Sequence, residues 1–301
     1  MSNGQVVRVD AKIKSENTDE PAQGAPEALR EDLRALAAFE YRTALKLCGS
    51  CQDYHATFGY GRLAGTKKGM VTDSAALASL LAGYGKPGVR VLIAASADAG
   101  LCALTAGVLA QSKPAITIAD LCATPLAVCR FFAGMHGFDI NTLQLDVAQM
   151  PIPGQYDLVL AHNVVSFIPP ALHAAFFRNL HDALAGGGTF ILGNRVRPRP
   201  QDRDDKLAIG KHGRMIEALR TKGIALPEDE TVFGKRLEAL DRERYERPEG
   251  TLDLERMEAN FAAAGFAIRE RQDDYRQGKY PKAVNPNDRA VTHFFAAQRI
   301  D

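Results

Sequence analysis

The sequence has almost no net charge and no long apolar run, and each absence excludes a class of protein. Its 301 residues carry a formal net charge of +1, which offers no general attraction to nucleic acid or to anionic lipid. No apolar stretch approaches the length of a membrane-spanning helix, and the polar N-terminus lacks the apolar core of a signal peptide. We therefore expect a cytoplasmic protein that binds neither nucleic acid nor a membrane.

Cysteine is scarce as well. The five cysteines are an odd number in a long chain, which does not suggest a disulfide framework. Cys48 and Cys51 form a Cys-x-x-Cys pair, which is typical of zinc or redox sites, but such metal sites normally need a second ligand pair at close spacing. None follows, so the sequence favours two packed thiols and we expect no metal.

Residues 89–101 predict a buried strand, a tight turn and the start of a helix. An apolar, β-branched run gives way to small residues, one acid and a glycine. The spacing Ala95-x-Ala97-x-x-Gly100 is a nucleotide-loop pattern with alanine at two of its three glycine positions. A turn of this kind lets the backbone approach a ligand at the carboxyl end of a strand, although a tight turn without a ligand explains the pattern equally well.

Strands and helices alternate along the middle of the chain. Strands are predicted at 89–94, 115–119, 142–145, 156–161 and 189–193, helices at 100–111, 124–136 and 170–185, and after a helix at 252–264 two further strands at 266–271 and 290–297. Strand–helix alternation with short links predicts an α/β fold with a doubly wound, mainly parallel sheet.

The segments around this core differ in composition. Residues 1–26 are polar and predict a disordered tail, and residues 27–88 predict an N-terminal helical lid. Residues 195–250 are rich in both charge signs with apolar positions at helical spacing, which predicts an inserted helical cap between core segments 89–194 and 251–301. Within the lid, the glycine-interrupted stretch 48–62 suits either a pocket wall or an ordinary helix–helix corner.

Residues 89–192 and 252–299 together resemble a class I S-adenosylmethionine-dependent methyltransferase. The alanine-substituted loop stands where that family has its glycine-rich loop. Asp120 ends the second predicted strand, where the family has an acid that binds the ribose hydroxyls, and Asp146 follows the third, where an acid commonly meets the adenine amino group. Three further stretches resemble the family's fourth strand and the turns into its fifth and sixth strands, namely 156–164, 184–190 and 261–266.

The resemblance implies a Rossmann-like mixed sheet of seven strands and S-adenosylmethionine as cofactor. The residues that it assigns to the cofactor are Ala95, Ser96, Ala97, Asp98, Gly100, Asp120, Leu121, Asp146, Val147, Ala161 and Asn163. The loop departs from the family pattern, because Ile93 stands near the place where many members have an acid. We hypothesise that Asp98 takes over the contact of that acid with the cofactor's ammonium group.

The charge of the loop bears on the choice of cofactor. Asp120 would equally suit the ribose of a nicotinamide dinucleotide. Ala97 and the anionic Asp98, however, oppose a pyrophosphate, whereas a sulfonium cation and an ammonium group favour an acidic loop. A nicotinamide-dependent reductase is therefore the less favoured alternative. The altered loop leaves a second alternative, a non-methylating or regulatory protein that binds S-adenosylmethionine.

Methyl transfer requires an aligned acceptor, exclusion of water and, for a hydroxyl acceptor, a base. His162, just after the fourth predicted strand, is the preferred base or acceptor orienter, and His55 is the second candidate. A strand-end histidine bonded to backbone is the alternative for His162. The residues predicted to bind the substrate are Tyr54, Tyr60, Arg62, Phe167 and Asn194.

The acceptor is predicted to be a small molecule. Methyltransferases that act on nucleic-acid bases often have an Asn/Asp-Pro-Pro-aromatic motif after the fourth strand, which residues 161–164 lack. His162 also replaces the acid that catechol-type, metal-dependent members have there. Oxygen is the acceptor atom that we expect first, and nitrogen is the next. The expected acceptor is an aromatic molecule of the natural-product type, and the expected assembly is a homodimer.

Overall fold

The computed structural model describes residues 7–8, 27–67, 69–196, 211–246, 253–275 and 291–300. Most of the predicted tail therefore lies outside the described residues, as do parts of the predicted cap. Val7–Arg8, within the predicted tail, forms a short strand. Among the helices of the described ranges, none combines the length and the apolar character needed to cross a bilayer.

One mixed sheet forms the centre of the molecule. Its strands are β1 (Val7–Arg8), β2 (Arg90–Ala94), β3 (Ala115–Asp120), β4 (Ile140–Gln144), β5 (Tyr156–His162), β6 (Leu184–Val196), β7 (Phe266–Tyr275) and β8 (Val291–Arg299). Their order across the sheet is β1-β7-β8-β6-β5-β2-β3-β4. Strands β2 to β6 are parallel, and β8 lies antiparallel between β6 and β7. The predicted doubly wound sheet of seven strands is confirmed, with the two residues of β1 added at one edge.

The helices agree closely with the predicted periodicity. They are α1 (Glu27–Leu47), α2 (Gln52–Ala64), α3 (Gly69–Ala82), α4 (Gly100–Val108), α5 (Ala123–Met135), α6 (His173–Ala183), α7 (Lys211–Thr221), α8 (Glu230–Glu246) and α9 (Leu254–Ala263). Short 3-10 turns occupy Ala110–Ser112, Val165–Phe167 and Pro170–Leu172. The helix predicted at 100–111 therefore ends at Val108 and continues as a 3-10 turn.

The central strand β2 is buried on both faces. Val91 and Ile93 belong to an apolar cluster with residues of α3, α4 and α5, whereas Leu92 and Ala94 belong to a cluster with residues of α6 and α9. Because side chains alternate along a strand, a strand covered on both faces needs a continuous apolar run. This requirement explains the sequence of residues 91–94.

A third apolar cluster joins the N-terminal helices, called the lid (α1 to α3), to the two helices called the cap (α7 and α8). Tyr41 of α1, Tyr60 of α2, Leu219 of α7 and Phe233 of α8 are all buried in it. Helix α2 runs without a break through both of its glycines. A Cβ at Gly59 would lie 2.7 Å from the Cα of Ala37, so that glycine permits close contact between α1 and α2. The stretch predicted to be interrupted is thus one side of a helix–helix corner.

Candidate active site

The loop after β2 lies against the end of β3. The backbone N–H of Ala95 donates to the carbonyl oxygen of Ala119 at 2.8 Å, and that of Ser96 donates to the Asp120 carboxylate at 2.8 Å. Ala95 has a φ of +64°, in the left-handed region that glycine adopts with less strain. The loop thus keeps a positive φ at the first of the three pattern positions although alanine occupies it.

Asp120 is buried at this edge of the sheet. Its carboxylate accepts hydrogen bonds from the backbone N–H groups of Ser96 and Cys122, the latter at 2.7 Å. Burial raises the pKa of Asp120, and these two hydrogen bonds oppose the rise. The adjacent Leu121 side chain is 67% exposed. Asp120 therefore fixes the loop, while Leu121 offers an apolar surface beside it.

Asp146 lies next to Asp120 across the sheet. The N–H of Leu145 donates to the carbonyl oxygen of Asp120 at 3.0 Å, which places the two acids at the carboxyl ends of neighbouring strands. The Asp146 carboxylate accepts the N–H of Ala148 at 2.9 Å. Val147 and Ala161 are at the same edge, but their side chains are buried in the core, so only their backbone could contact a ligand.

Asp98 is tied to the lid. Arg62 of α2 donates from Nη2 to the Asp98 carboxylate at 2.9 Å, and its Nε contacts the second oxygen. The N–H of Gly100 donates to the same carboxylate at 2.8 Å. Both side chains of the ion pair are nearly buried. The contact of Asp98 with the cofactor's ammonium stays a prediction, in which the ammonium would share the carboxylate with Arg62.

His162 is held by a buried carboxylate that the sequence analysis did not select. Its Nε2 lies 2.7 Å from Oδ2 of Asp73, which is fully buried on α3. The register of β2 with β5 pairs Ile93 with Leu160, so His162 emerges beside the loop. Asp73 stands between the polar Thr72 and Ser74 in α3, so the sequence gives no signal that this acid is buried, and only the fold reveals its partner.

Asn163 fixes the end of β5 to β6. It has a φ of +53°, and its N–H donates to the carbonyl oxygen of Gly193 at 2.7 Å. Its side-chain oxygen accepts the N–H of Arg195 at 2.8 Å, and its Nδ2 lies 2.9 Å from Nε2 of His162. Asn194 is buried, and its Oδ1 meets no hydrogen-bond partner among the described residues.

Aromatic and cationic side chains gather near the loop. The ring of Tyr54 lies 5.3 Å from that of Phe58 and 5.8 Å from that of the half-exposed Phe167. The Lys67 ammonium stands 5.8 Å from the Tyr54 ring, and the Arg62 guanidinium stands 5.3 Å from the Phe58 ring. Three predicted substrate residues, Tyr54, Arg62 and Phe167, are therefore close together.

Two predicted site residues lie elsewhere. Tyr60 packs edge-on against Tyr41 and Phe233 in the cluster shared by lid and cap, so its ring fills core volume and does not join Tyr54. His55 is buried among cysteines and Glu40 rather than beside His162. Burial opposes a charge on His55, but polar contacts with Cys122 and Cys51 and the nearby Glu40 carboxylate raise its pKa.

The family of the central segment follows from comparison with known proteins. Residues 98–192 match the methyltransferase domain family, a span that begins in the loop and ends in β6. The predicted class I S-adenosylmethionine-dependent methyltransferase domain is confirmed over residues 98–192. No curated protein matches the sequence significantly.

Solved structures agree with this methyltransferase fold. A methyltransferase candidate from Bacillus halodurans C-125 is 16% identical, with a TM-score of 0.51 over 76% of this chain and 100% of the other. A protein from Bordetella parapertussis described as a possible exported protein is 13% identical, with a TM-score of 0.50 over 90% of this chain and 97% of the other. Phosphoethanolamine N-methyltransferase 2 of Haemonchus contortus is also 13% identical, with a TM-score of 0.50 over 84% and 58%. At these identities the likeness concerns the fold.

The residues at the carboxyl ends of β2, β3 and β4 fit S-adenosylmethionine. Each oxygen of the Asp120 carboxylate accepts one backbone hydrogen bond, which leaves further lone pairs for hydroxyl groups. Asp146 and the exposed Leu121 stand beside it, so an acidic and partly apolar surface faces a cationic nucleoside. Asp120, Asp146, Leu121 and the backbone of Ser96 would hold the cofactor, which supplies a methyl group activated by its sulfonium.

Proposed function

We propose that this methyltransferase transfers a methyl group to a small-molecule acceptor, with oxygen as the first expected acceptor atom and nitrogen as the second. The observation that carries the proposal is the contact of His162 with the buried Asp73 at the carboxyl end of β5. A base at that position serves a hydroxyl acceptor, whose proton must leave as the carbon–oxygen bond forms.

Asp73 would set the orientation of His162. Nε2 of His162 lies 2.7 Å from Oδ2 of Asp73 and 2.9 Å from Nδ2 of Asn163, so two side chains already engage this nitrogen and Nδ1 is the one left for an acceptor. The ring is further confined because His162 packs over Gly193, where an added Cβ would lie 3.2 Å from its Cδ2. A ring held in one orientation is what positioned general-base catalysis requires.

The acceptor class is inferred from the lid. The rings of Tyr54 and Phe167 stand near each other, and Phe167 is 48% exposed. Aromatic walls suit a flat, partly apolar acceptor, which supports an aromatic molecule of the natural-product type. The near-zero net charge gives no support to a nucleic-acid acceptor.

Calorimetric titration of the full chain with S-adenosylmethionine, followed by release of S-adenosylhomocysteine from a panel of aromatic alcohols and amines, tests the proposal. With an accepted alcohol, we expect His162→Ala to lower kcat by about 10²- to 10⁴-fold and to leave cofactor affinity nearly unchanged. His136→Ala is the matched control, because His136 follows α5 and contacts Asp32 instead.

The alternatives give different results in the same experiment. Cofactor binding without product release from any acceptor would favour a regulatory or non-methylating protein, an outcome consistent with the pairing of Asp98 with Arg62 and with the alanines of the loop. Binding of a reduced nicotinamide dinucleotide in place of S-adenosylmethionine would favour a reductase. An unchanged kcat in His162→Ala would contradict the role of His162 as base.

A further inference from the structure

Three cysteines and one histidine converge at the corner between α1 and α2. Cys48 follows α1, Cys51 precedes α2, His55 lies in the first turn of α2, and Cys122 precedes α5. One ligand atom from each of the four residues lies within 4.8 Å of the others. The fold therefore supplies two further donors to the Cys-x-x-Cys pair.

The sequence alone could not assemble this group. His55 follows Cys51 by one helical turn, but Cys122 is separated from Cys51 by 71 residues and comes from the end of β3. Metal-site patterns that are read from sequence rely on close spacing between ligand pairs. The expectation of no metal rests on the missing second pair, and in the fold His55 and Cys122 take the place of that pair.

The sulfur distances fit one ion rather than one bond. Sγ of Cys122 lies 3.4 Å from that of Cys48 and 3.6 Å from that of Cys51. In a tetrahedral zinc site with Zn–S bonds of about 2.3 Å, neighbouring sulfurs are about 3.8 Å apart. A disulfide would join only two of the three sulfurs at about 2.0 Å.

A buried carboxylate stands behind His55. Oε1 of Glu40 lies 3.9 Å from Nδ1 of His55, both side chains are nearly buried, and neither atom has a hydrogen bond among the described residues. Zinc-binding histidines commonly present their second ring nitrogen to a carboxylate. The nitrogen that does not face Glu40, Nε2, is then the one that binds the ion.

We propose that Cys48, Cys51, His55 and Cys122 bind one Zn²⁺ ion in a tetrahedral site. Three thiolates and one imidazole form a usual structural zinc set, and four protein ligands leave no open position for substrate. The role of the ion is to join the lid to the end of β3. Cys122 also donates its N–H to Asp120, so the metal steadies the edge of the sheet that carries Asp120.

Metal analysis of the purified chain is the direct test. The full chain, produced with zinc in the medium and purified under reducing conditions without a metal resin, is expected to contain about one zinc per chain. Cys51→Ser and Cys122→Ser are each expected to lose most of it. Cys102→Ala is the matched control, because Cys102 is buried in the main core and is absent from the cluster.

Spectroscopy keeps the test independent of whether the serine variants fold. X-ray absorption at the zinc edge should give three sulfurs at about 2.3 Å and one nitrogen at about 2.0 Å. When the wild-type chain has been stripped of metal by a chelator, added Co²⁺ should produce a sulfur-to-metal absorption band. The absorbance should rise in proportion to the added Co²⁺ up to one ion per chain.

Three results would overturn the zinc proposal. A wild-type chain that contains no zinc after purification and shows no thiolate absorption with Co²⁺ would overturn the proposal. Zinc retained at the wild-type level in both serine variants would overturn it as well, as would intact mass showing a disulfide among these cysteines in the reduced preparation. Because metal content is measured without acceptor or cofactor, failure of the zinc site is distinguishable from failure of the methyl-transfer proposal.

Discussion

At the residue scale, two buried acids near the loop already have partners within the chain. Asp73 is paired with His162, and Asp98 with Arg62. Arg62 and Asp98 are both nearly buried, so each charge has lost most of its contact with water and is compensated by the other. Such pairs make the loop and the lid interdependent, because a change in one leaves a charge uncompensated in the other.

Arg62→Ala tests the lid–loop ion pair. Removing the guanidinium leaves the Asp98 carboxylate buried without its counter-ion, and we expect the free energy of unfolding to fall by about 3 kcal/mol. Urea unfolding measures this change. The matched double variant, Arg62→Ala with Asp98→Asn, should recover part of the loss, and equal stability of the single variant and wild type would contradict a buried pair.

At the scale of elements, close helix contact and strand pairing depend on a few positions. Glycine within a helix normally weakens it, yet α2 keeps Gly59 where α1 comes closest. Asp157, early in β5, accepts hydrogen bonds from Arg90 and Lys86, next to the start of β2. Both features hold an element in position against its neighbour.

Gly59→Ala should destabilise the chain despite its better helix propensity. The added Cβ would meet the backbone of α1 at 2.7 Å, and forced separation of the helices should cost about 1–3 kcal/mol. Thermal unfolding is the measurement. Gly234→Ala in α8, where nothing lies within 4 Å of the added carbon, is the control and should be neutral or stabilising by up to about 1 kcal/mol.

Asp157→Asn should reduce stability in a pH-dependent way. Hydrogen bonds from Arg90, opposed by burial and aided by Lys86, lower the pKa of Asp157. A lowered pKa stabilises the folded state above the unfolded value of about 3.9, and that stability is lost as the pH falls. Because both cations are largely exposed, we expect a difference of about 1 kcal/mol at neutral pH. Urea unfolding should show it shrinking below about pH 4, and a constant difference would contradict the assignment.

At the scale of the whole molecule, sequence patterns predicted the sheet better than the site. The β-branched run of β2 and the regular alternation of elements follow from local chemistry, so the doubly wound sheet was accessible. The pairing of Asp73 with His162 and the approach of Cys122 to Cys51 join residues distant in sequence, so only the fold reveals them. Tyr60 follows Tyr54 by six residues within α2, which turns it about 120° away around the helix axis, so their separation follows once this glycine-containing stretch is helical.

Phe233→Ala tests whether lid and cap are one unit. The Phe233 ring is fully buried against Tyr60, and its truncation should cost about 3–5 kcal/mol. Limited proteolysis should then cut α2 and α8 together, while the sheet resists. Val232→Ala, at a neighbouring position that is 44% exposed, should leave the digestion pattern unchanged. Cleavage confined to α8 would show that the two segments open separately.

The shared cluster of α1, α2, α7 and α8 has a consequence for the construction of chimeras. A chimera that takes only the cap of another methyltransferase would set foreign side chains against Tyr41 and Tyr60, and the mismatch would expose apolar surface. Strands β2 to β6 separate these two segments along the chain, yet the segments form one exchangeable part. Recombination that moves them together, with the sheet kept as the recipient, is the design that preserves a closed interior.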